Sequence, residues 1–294
     1  MGNAAVDLTV RRMKFGFDAR PTGDKYFADG SIVFSHTVAL LSAIFPPGED
    51  IFVRSVRRYL DEITDPELRK RVLGFIGQEK THGLQHRELN EQLAAMGYPT
   101  AWFEYLLQST ERMEKFLDKQ YPSPDRLVRL RHFFLGFTVA AEHFTAVWAE
   151  NILNSPEIQT MMYDPEIRNL LNWHALEELE HKSVAFDVYR ALGVPESTRI
   201  RWMRFDSNLG IPILLAFAWL SIIATDADGR RQPWRILRET VQMLRNPMWK
   251  GFYSAMRPFK DPGFHPDQID NTELLETWHR ELFGDDGQLA GHLK

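Results

Sequence analysis

The sequence predicts an all-α protein, a four-helix bundle with additional helices on its C-terminal side. Three observations point there. Glu-x-x-His occurs twice, as Glu79-Lys80-Thr81-His82 and Glu178-Leu179-Glu180-His181, a spacing that puts both side chains on one helix face about one turn apart. Each copy follows an earlier Glu in a helical stretch, Glu49 before Glu79 and Glu142 before Glu178. Apolar segments with helical periodicity are bounded by Asp-Pro, Ser-Pro and Gly, the residues that start and stop helices.

Taken in order, residues 1–30 read as an irregular arm with room for one short strand, carrying local positive charge on Arg11, Arg12, Lys14 and Arg20. Ser31 to Phe45 (SIVFSHTVALLSAIF) is apolar enough for a buried helix. Pro46-Pro47-Gly48 should break or kink it, with helix resuming at Glu49 and running to about Ile63. Asp65-Pro66 opens the next helix, because Asp caps free N–H groups and Pro fits the first turn. That helix should run to about Met96, where Gly97 supplies the left-handed residue. A helical crossover over 100–121, with few inward polar groups, lets the third bundle helix run in a sense that a simple hairpin forbids.

Ser123-Pro124 opens that third helix, which carries Glu142 and ends near Leu153. Asp164-Pro165-Glu166 opens the fourth, which should end near Leu192 before Gly193. Two further helical patterns follow, at about 196–225 and 233–256. Pro258, Pro262, Gly263 and Pro266 then punctuate a surface segment leading to a short helix at about 272–283. The expected organisation is an arm at 1–30, a metal-binding bundle at 31–195, and a helical extension at 196–294 packed on the bundle.

Composition narrows the function. A chain of 294 residues, 44% hydrophobic, can bury a sizeable core without staples. Net charge of -5 with mixed signs speaks against nucleic acid as a partner. Cys is absent, so any metal rests on Glu, Asp and His, a set suited to iron, manganese or zinc. The amino end lacks an apolar core long enough for a secretory signal, and a cytoplasmic protein is expected. Leu209 to Thr225 is 17 residues without a charge, with Pro212 inside, slightly short of the roughly 20 that span a bilayer. It reads first as a buried core helix, with peripheral membrane contact through 209–225 as the alternative.

A lone Glu-x-x-His usually has both side chains in water. Two copies, each with an upstream Glu, reverse that reading. Glu142 is the most telling, because Phe133, Phe134, Leu135 and Phe137 precede it and Phe144, Val147 and Trp148 follow. An ionised carboxylate there must be paired or metal-bound, and Arg129 and Arg131 of the same helix lie more than two turns away. Glu49 is the weakest member, since an acid at a predicted helix start serves the dipole; Asp50 and Glu62 are its substitutes. His86 and His174 share the ligand-bearing faces, as added ligands or as groups that orient a ligand. Glu177 falls in the same arc. His143, about 100° round from Glu142, and His36, on an apolar face, read as structural histidines.

Phe45-Pro46-Pro47-Gly48-Glu49, Gln78-Glu79-Lys80-Thr81-His82 and Trp173-His174 through His181, with the later apolar segment, resemble the bacterial family described as predicted metal-dependent hydrolases. That likeness covers most of the chain. More broadly, residues 45–192 resemble the ferritin-like di-iron carboxylate superfamily. The resemblance implies two metal ions, iron first and manganese or zinc as alternatives, held by Glu49, Glu79, His82, Glu142, Glu178 and His181. Glu79 and Glu178 would bridge, and Glu49 and Glu142 would be terminal. His86 and His174 exceed the simple ferritin-like set.

The activity this implies is that of an O2-activating oxidase or oxygenase acting on a small apolar substrate, with an electron donor as partner. The alternative is a hydrolase using metal-activated water, and a third reading is a non-enzymatic metal-binding bundle. Serine chemistry is disfavoured, as no G-x-S-x-G elbow occurs. Segments 31–45 and 209–225 either line a channel for an apolar substrate or are ordinary core. A homodimer is left open.

Overall fold

The computed structural model describes residues 8–17, 25–120 and 124–294, and among these the chain is all-α with no strand. Arg20 lies outside the described residues. Instead of the short strand expected in the arm, residues 8–17 run without regular structure and form one isolated antiparallel bridge, Met13 with Leu293. Flanking it, the Lys14 N–H donates to the His292 carbonyl at 2.8 Å and the Lys294 N–H to the Arg12 carbonyl at 2.9 Å.

Helix α1 (Ile32–Arg57) opens on Ser31, whose hydroxyl accepts from the Phe34 N–H. It continues through Pro46 and Pro47, so the expected break does not occur. Pro46 has no N–H for the carbonyl of Ser42, four residues back. Asn90 supplies the missing donor from a neighbouring helix: its Nδ2 lies 3.0 Å from that carbonyl. An unsatisfied buried carbonyl would cost about 1–3 kcal/mol, and the amide removes that penalty.

Helix α2 (Pro66–Ala95) starts where Asp65 accepts from the Glu67 N–H and gives way to Gly97 at φ 95°. Helices α3 (Thr100–Gln120) and α4 (Pro124–Asn154) follow the sequence expectation, except that Tyr121 and Ser123 lie outside the described residues, and a short α5 (Pro156–Met161) was not foreseen. Helix α6 (Pro165–His181) is capped by Asp164, which accepts from the Glu166 and Ile167 N–H groups. The expected fourth helix does not run unbroken to Leu192. A turn at Lys182–Ser183 separates α6 from α7 (Val184–Ala191). Both turn residues are held by distant partners: Lys182 Nζ donates to the Ile269 carbonyl at 2.6 Å, and Ser183 Oγ accepts from Arg71 at 2.7 Å.

Helix α1 packs on α2, α2 on α6, α6 on α4 and α4 back on α1, so four helices close a ring. Beyond it come α8 (Glu196–Phe205), a π turn at Asp206–Gly210, α9 (Ile211–Thr225), α10 (Ala227–Arg231), α11 (Pro233–Leu244), α12 (Phe252–Met256) and α13 (Thr272–Phe283). The pattern at 233–256 is therefore two helices, parted by a 3-10 turn at Pro247–Trp249. Helix α8 packs on α4, α9 and α11 on α1, and α13 on α6. One connected apolar core reaches from Met13 to Leu289.

Helix α9 is only partly a core helix. Ile211, Leu214, Ala218 and Ile222 are buried, whereas Ile213, Leu220 and Ile223 are exposed. By length and composition two stretches among the described residues could cross a membrane, Ile32–Arg57, largely buried in the protein, and Glu196–Thr225, largely not. His36 is held by Ser221 Oγ at 2.7 Å and Asp226 at 3.3 Å. His143 faces the Ala255 carbonyl at 3.2 Å and stacks on Phe259.

Candidate metal centre

Inside the ring of α1, α2, α4 and α6, four side chains from two helices meet. Glu79 and His82 of α2 and Glu178 and His181 of α6 are all buried, and a donor atom from each lies within 4.8 Å of the others. Glu49 of α1, His82 and His174 form a second such group. His82 belongs to both, so the two adjoin. Glu142 reaches in from α4 with Oε2 3.0 Å from His181 Nδ1. All six expected ligands thus meet in one place, and His174 joins them. Of the substitutes for Glu49, Asp50 is turned outward onto Arg87 at 2.9 Å, while Glu49 is 2% exposed.

Hydrogen bonds fix which nitrogen each imidazole offers. Ser42 gives its hydroxyl proton to Asn90 Oδ1 at 2.7 Å, so at 3.0 Å from His86 Nδ1 it can only accept. His86 therefore carries its proton on Nδ1, and its Nε2 accepts from His174 Nδ1 at 2.8 Å. That leaves a lone pair on His174 Nε2, facing Glu178 Oε1 at 2.9 Å and Glu49 Oε1 at 3.7 Å. Two acceptors this close need a proton or a metal cation between them. His82 is tied through Nε2 to Glu177 Oε2 at 3.0 Å, and His181 through Nδ1 to Glu142. Their other nitrogens, His82 Nδ1 and His181 Nε2, have no hydrogen-bond partner. A carboxylate or imidazole behind each ligand imidazole is the arrangement that orients histidines on metals.

The same holds for the carboxylates. Both oxygens of Glu49, both of Glu79 and Oε1 of Glu142 are buried without a hydrogen-bond partner. Buried polar atoms rarely stay unpaired; so many in one place fit a site built for cations. Electrostatics agree. Burial, reinforced by repulsion from neighbouring carboxylates, pushes Glu49 and Glu79 well above the usual range. Burial pushes Glu142 up to about 7 and Glu177 up to about 8. Burial also presses on Glu178, but the charge of His181 and the hydrogen bond from Thr145 hold it below its ordinary value. His181 resists burial and rises to about 9 because Glu142 and Glu178 surround it. His181 is one positive charge among the four carboxylates Glu49, Glu79, Glu142 and Glu178, and two divalent ions would balance them. Cysteine-free, oxygen-rich donors suit iron, manganese or zinc.

An outer layer steadies these groups. Arg11 donates to Glu177 Oε1 at 2.8 Å and, with both terminal nitrogens, to Glu180 at 2.8 and 3.0 Å. Gln78 donates to Glu180 Oε2 at 2.6 Å, and His279 of α13 lies 3.0 Å from Glu180 Oε1. Those contacts hold Glu180 down to about 2 against the opposing effect of burial. The arm reaches this position by lying against two glycines of α2. A Cβ at Gly74 would stand 2.6 Å from Leu8, and one at Gly77 2.4 Å from Val10. Only glycine permits that approach. Thr145 donates to Glu178 Oε2 at 2.5 Å.

Sequence reasoning saw Arg11 only as local charge, and it missed Ser42, Thr145 and Glu180, which carry no periodic signal of their own. His86 stands behind His174, and Glu177 behind His82. Beside Glu178 and His174 opens an apolar cavity walled by Val38, Leu41 and Phe45 of α1 and Trp148 of α4. The 31–45 segment therefore does line a cavity, while no residue of 209–225 is among its lining.

A family model described as predicted metal-dependent hydrolase matches residues 9–270 of the chain. No curated protein and no solved structure matches it.

Proposed function

Because the chain belongs to the family of predicted metal-dependent hydrolases, we propose that it is a two-metal hydrolase acting on an ester or amide of apolar character. The observation that carries this reading is the convergence of unpartnered buried donor atoms from Glu49, Glu79, His82, Glu142 and His181. Two bound ions would lower the pKa of a water and polarise the bond it attacks. In the reaction the water oxygen goes to the acyl carbon, and a proton goes to the departing oxygen or nitrogen.

The protein's own groups hold and aim. Glu49, Glu79, Glu142 and Glu178 would hold the two ions through their carboxylates, Glu79 and Glu178 in the group with His82 and His181, and Glu49 in the group with His82 and His174. His82 Nδ1, His174 Nε2 and His181 Nε2 would complete the set. Glu177, His86 and Glu142 Oε2 keep those lone pairs pointed inward, while Thr145 fixes the rotamer of Glu178. The apolar wall beside Glu178 excludes bulk water, which strengthens each polar contact inside.

One feature favours a second reading. Four carboxylates on four helices, with Glu-x-x-His on two of them, is the donor set described for di-iron and di-manganese bundles of the ferritin-like kind. It supports oxidase or oxygenase chemistry with an external electron donor. Metal analysis separates the two. Zinc or manganese with ester or amide cleavage and no response to air supports hydrolysis. About two irons per chain, with a new near-ultraviolet band on exposure to air, supports oxidation.

The surface around α9 and α11 supports peripheral contact with an anionic membrane. Trp234 is 80% exposed, and Leu237, Val241 and Leu244 follow it on the outer face of α11, beside Ile223 of α9. Arg230, Arg231, Arg238 and Arg245 are exposed among them. Apolar and aromatic side chains interspersed with arginine suit the lipid headgroup boundary.

A further inference from the structure

The cavity beside the metal centre follows one face of α6. Arg168, Leu171, Asn172, Ala175 and Glu178 line it, at intervals of three or four residues that a helix stacks on one side. At 1.5 Å per residue, Arg168 and Glu178 stand about 15 Å apart along the helix. Ala149 and Ala175 keep the passage open with small side chains, and Leu41, Phe45, Trp148 and Ile152 make its wall apolar. Its volume is about 70 Å³, where a single water needs roughly 10–15 Å³.

The polar groups along this passage are mostly spoken for. Gln159 and Asn172 exchange two hydrogen bonds, at 2.9 and 2.8 Å. The Ser42 hydroxyl is engaged by Asn90 and His86, and that of Thr145 by Glu178. Arg168 differs. Its half-buried guanidinium makes one long contact, 3.4 Å to the Gln159 carbonyl, and among the described residues no carboxylate pairs with it. Its remaining donors can grip a carboxylate through two parallel bonds.

Resting on the two-metal reading above, we infer that the substrate is an amphipathic anion. It has an apolar chain lying along α6, a carboxylate held by Arg168, and its reacting bond at the Glu178–His174 end. Arg168 is then the residue that selects an anionic over a neutral substrate. A neutral chain fills the same wall but leaves the guanidinium without its anion.

The test is calorimetric titration of the purified, metal-containing protein with decanoate, with decanol as the neutral probe, and metal content measured on every variant. Decanoate should bind, and Arg168→Gln should weaken it about 10- to 100-fold while decanol is unaffected. Arg168→Lys should restore much of the loss. Ala175→Phe should abolish both ligands by filling the passage, with circular dichroism reporting that the helices persist. Equal decanoate binding by the Arg168→Gln and unaltered proteins would overturn the inference, as would binding that disappears when metal is stripped but ignores Arg168. Full metal content without decanoate binding removes this inference alone. Decanoate binding that depends on Arg168 in a protein holding no metal removes the two-metal reading and keeps the anion site.

Discussion

Arg11 lies 2.8 Å from Glu177, a residue 166 positions away in sequence, and so ties the N-terminal arm to the carboxylate that orients His82. Through Glu177 Oε2, 3.0 Å from His82 Nε2, the guanidinium acts on the metal centre without touching it. Replacing Arg11 by Met should leave the helical content intact and lower metal affinity about 10- to 100-fold, the usual effect of losing a group behind a ligand. Competition against a chelator of known affinity measures this; unchanged retention would show that Glu177 holds His82 unaided.

His174 is expected to be a ligand. If its Nε2 serves an ion with Glu49, His174→Ala should reduce metal from about two ions per chain to about one, since a site missing a ligand binds far more weakly. Ser42→Ala, which frees His86 to change tautomer, should weaken binding about tenfold and leave the stoichiometry alone. Elemental analysis after dialysis distinguishes the two.

Glu142→Gln should separate folding from metal binding. Burial has raised this carboxyl to about 7, so its charge destabilises the stripped protein near neutrality. The amide should raise the metal-free Tm by about 2–4 °C, corresponding to ~1 kcal/mol in a chain this long, and should abolish full metal loading. A variant that is no more stable and binds two ions would remove Glu142 from the site.

The stripped protein should lose stability as pH rises from 6.5 to 8. Glu142 and Glu177, ordinarily near 4.5, are raised to about 7 and about 8 by burial, and His181 to about 9 by its carboxylate neighbours. Each binds its proton more tightly folded than unfolded, so their contribution is present at low pH and fades as pH climbs through these values. His82 and His86, pushed well below 6.5 by burial, act oppositely but only below that pH. Bound metal should replace the protons and flatten the slope. Urea unfolding at several pH values, with and without metal, is the measurement.

The double substitution Trp234→Ser and Leu237→Ser should reduce co-sedimentation with phosphatidylglycerol vesicles several-fold while leaving metal content unchanged. Binding to neutral phosphatidylcholine should be weak from the outset. A dimer that the substitutions break, with no vesicle binding, would assign this face to a second copy.

The helical class and the metal cluster were legible because both rest on local rules. Asp65-Pro66, Asp164-Pro165 and Gly97 mark helix ends through bonds to adjacent residues, and Glu79/His82 and Glu178/His181 share faces by helical spacing. What failed depended on distant partners. Pro46 should have broken or kinked α1, but the helix runs on through it, and the amide of Asn90 on another helix caps the carbonyl that it frees. The turn after His181 is held by Ile269, Asn271 and Arg71, none of which is near in sequence. His174 could be placed on the right face, yet only Ser42 and His86 reveal which of its nitrogens is free.

The bridge between Met13 and Leu293 bears on the order of assembly. Arg11 is held in place by a strand-like pairing with residues synthesised long after it, and Glu180 takes a further contact from His279 on α13. Contacts of such long sequence separation form late in folding. A partly synthesised chain would carry every ligand but lack the clamp that aims His82, so it should be a poor scavenger of metal. Tight metal binding should therefore follow the pairing of residues 12–14 with 292–294 and not precede it.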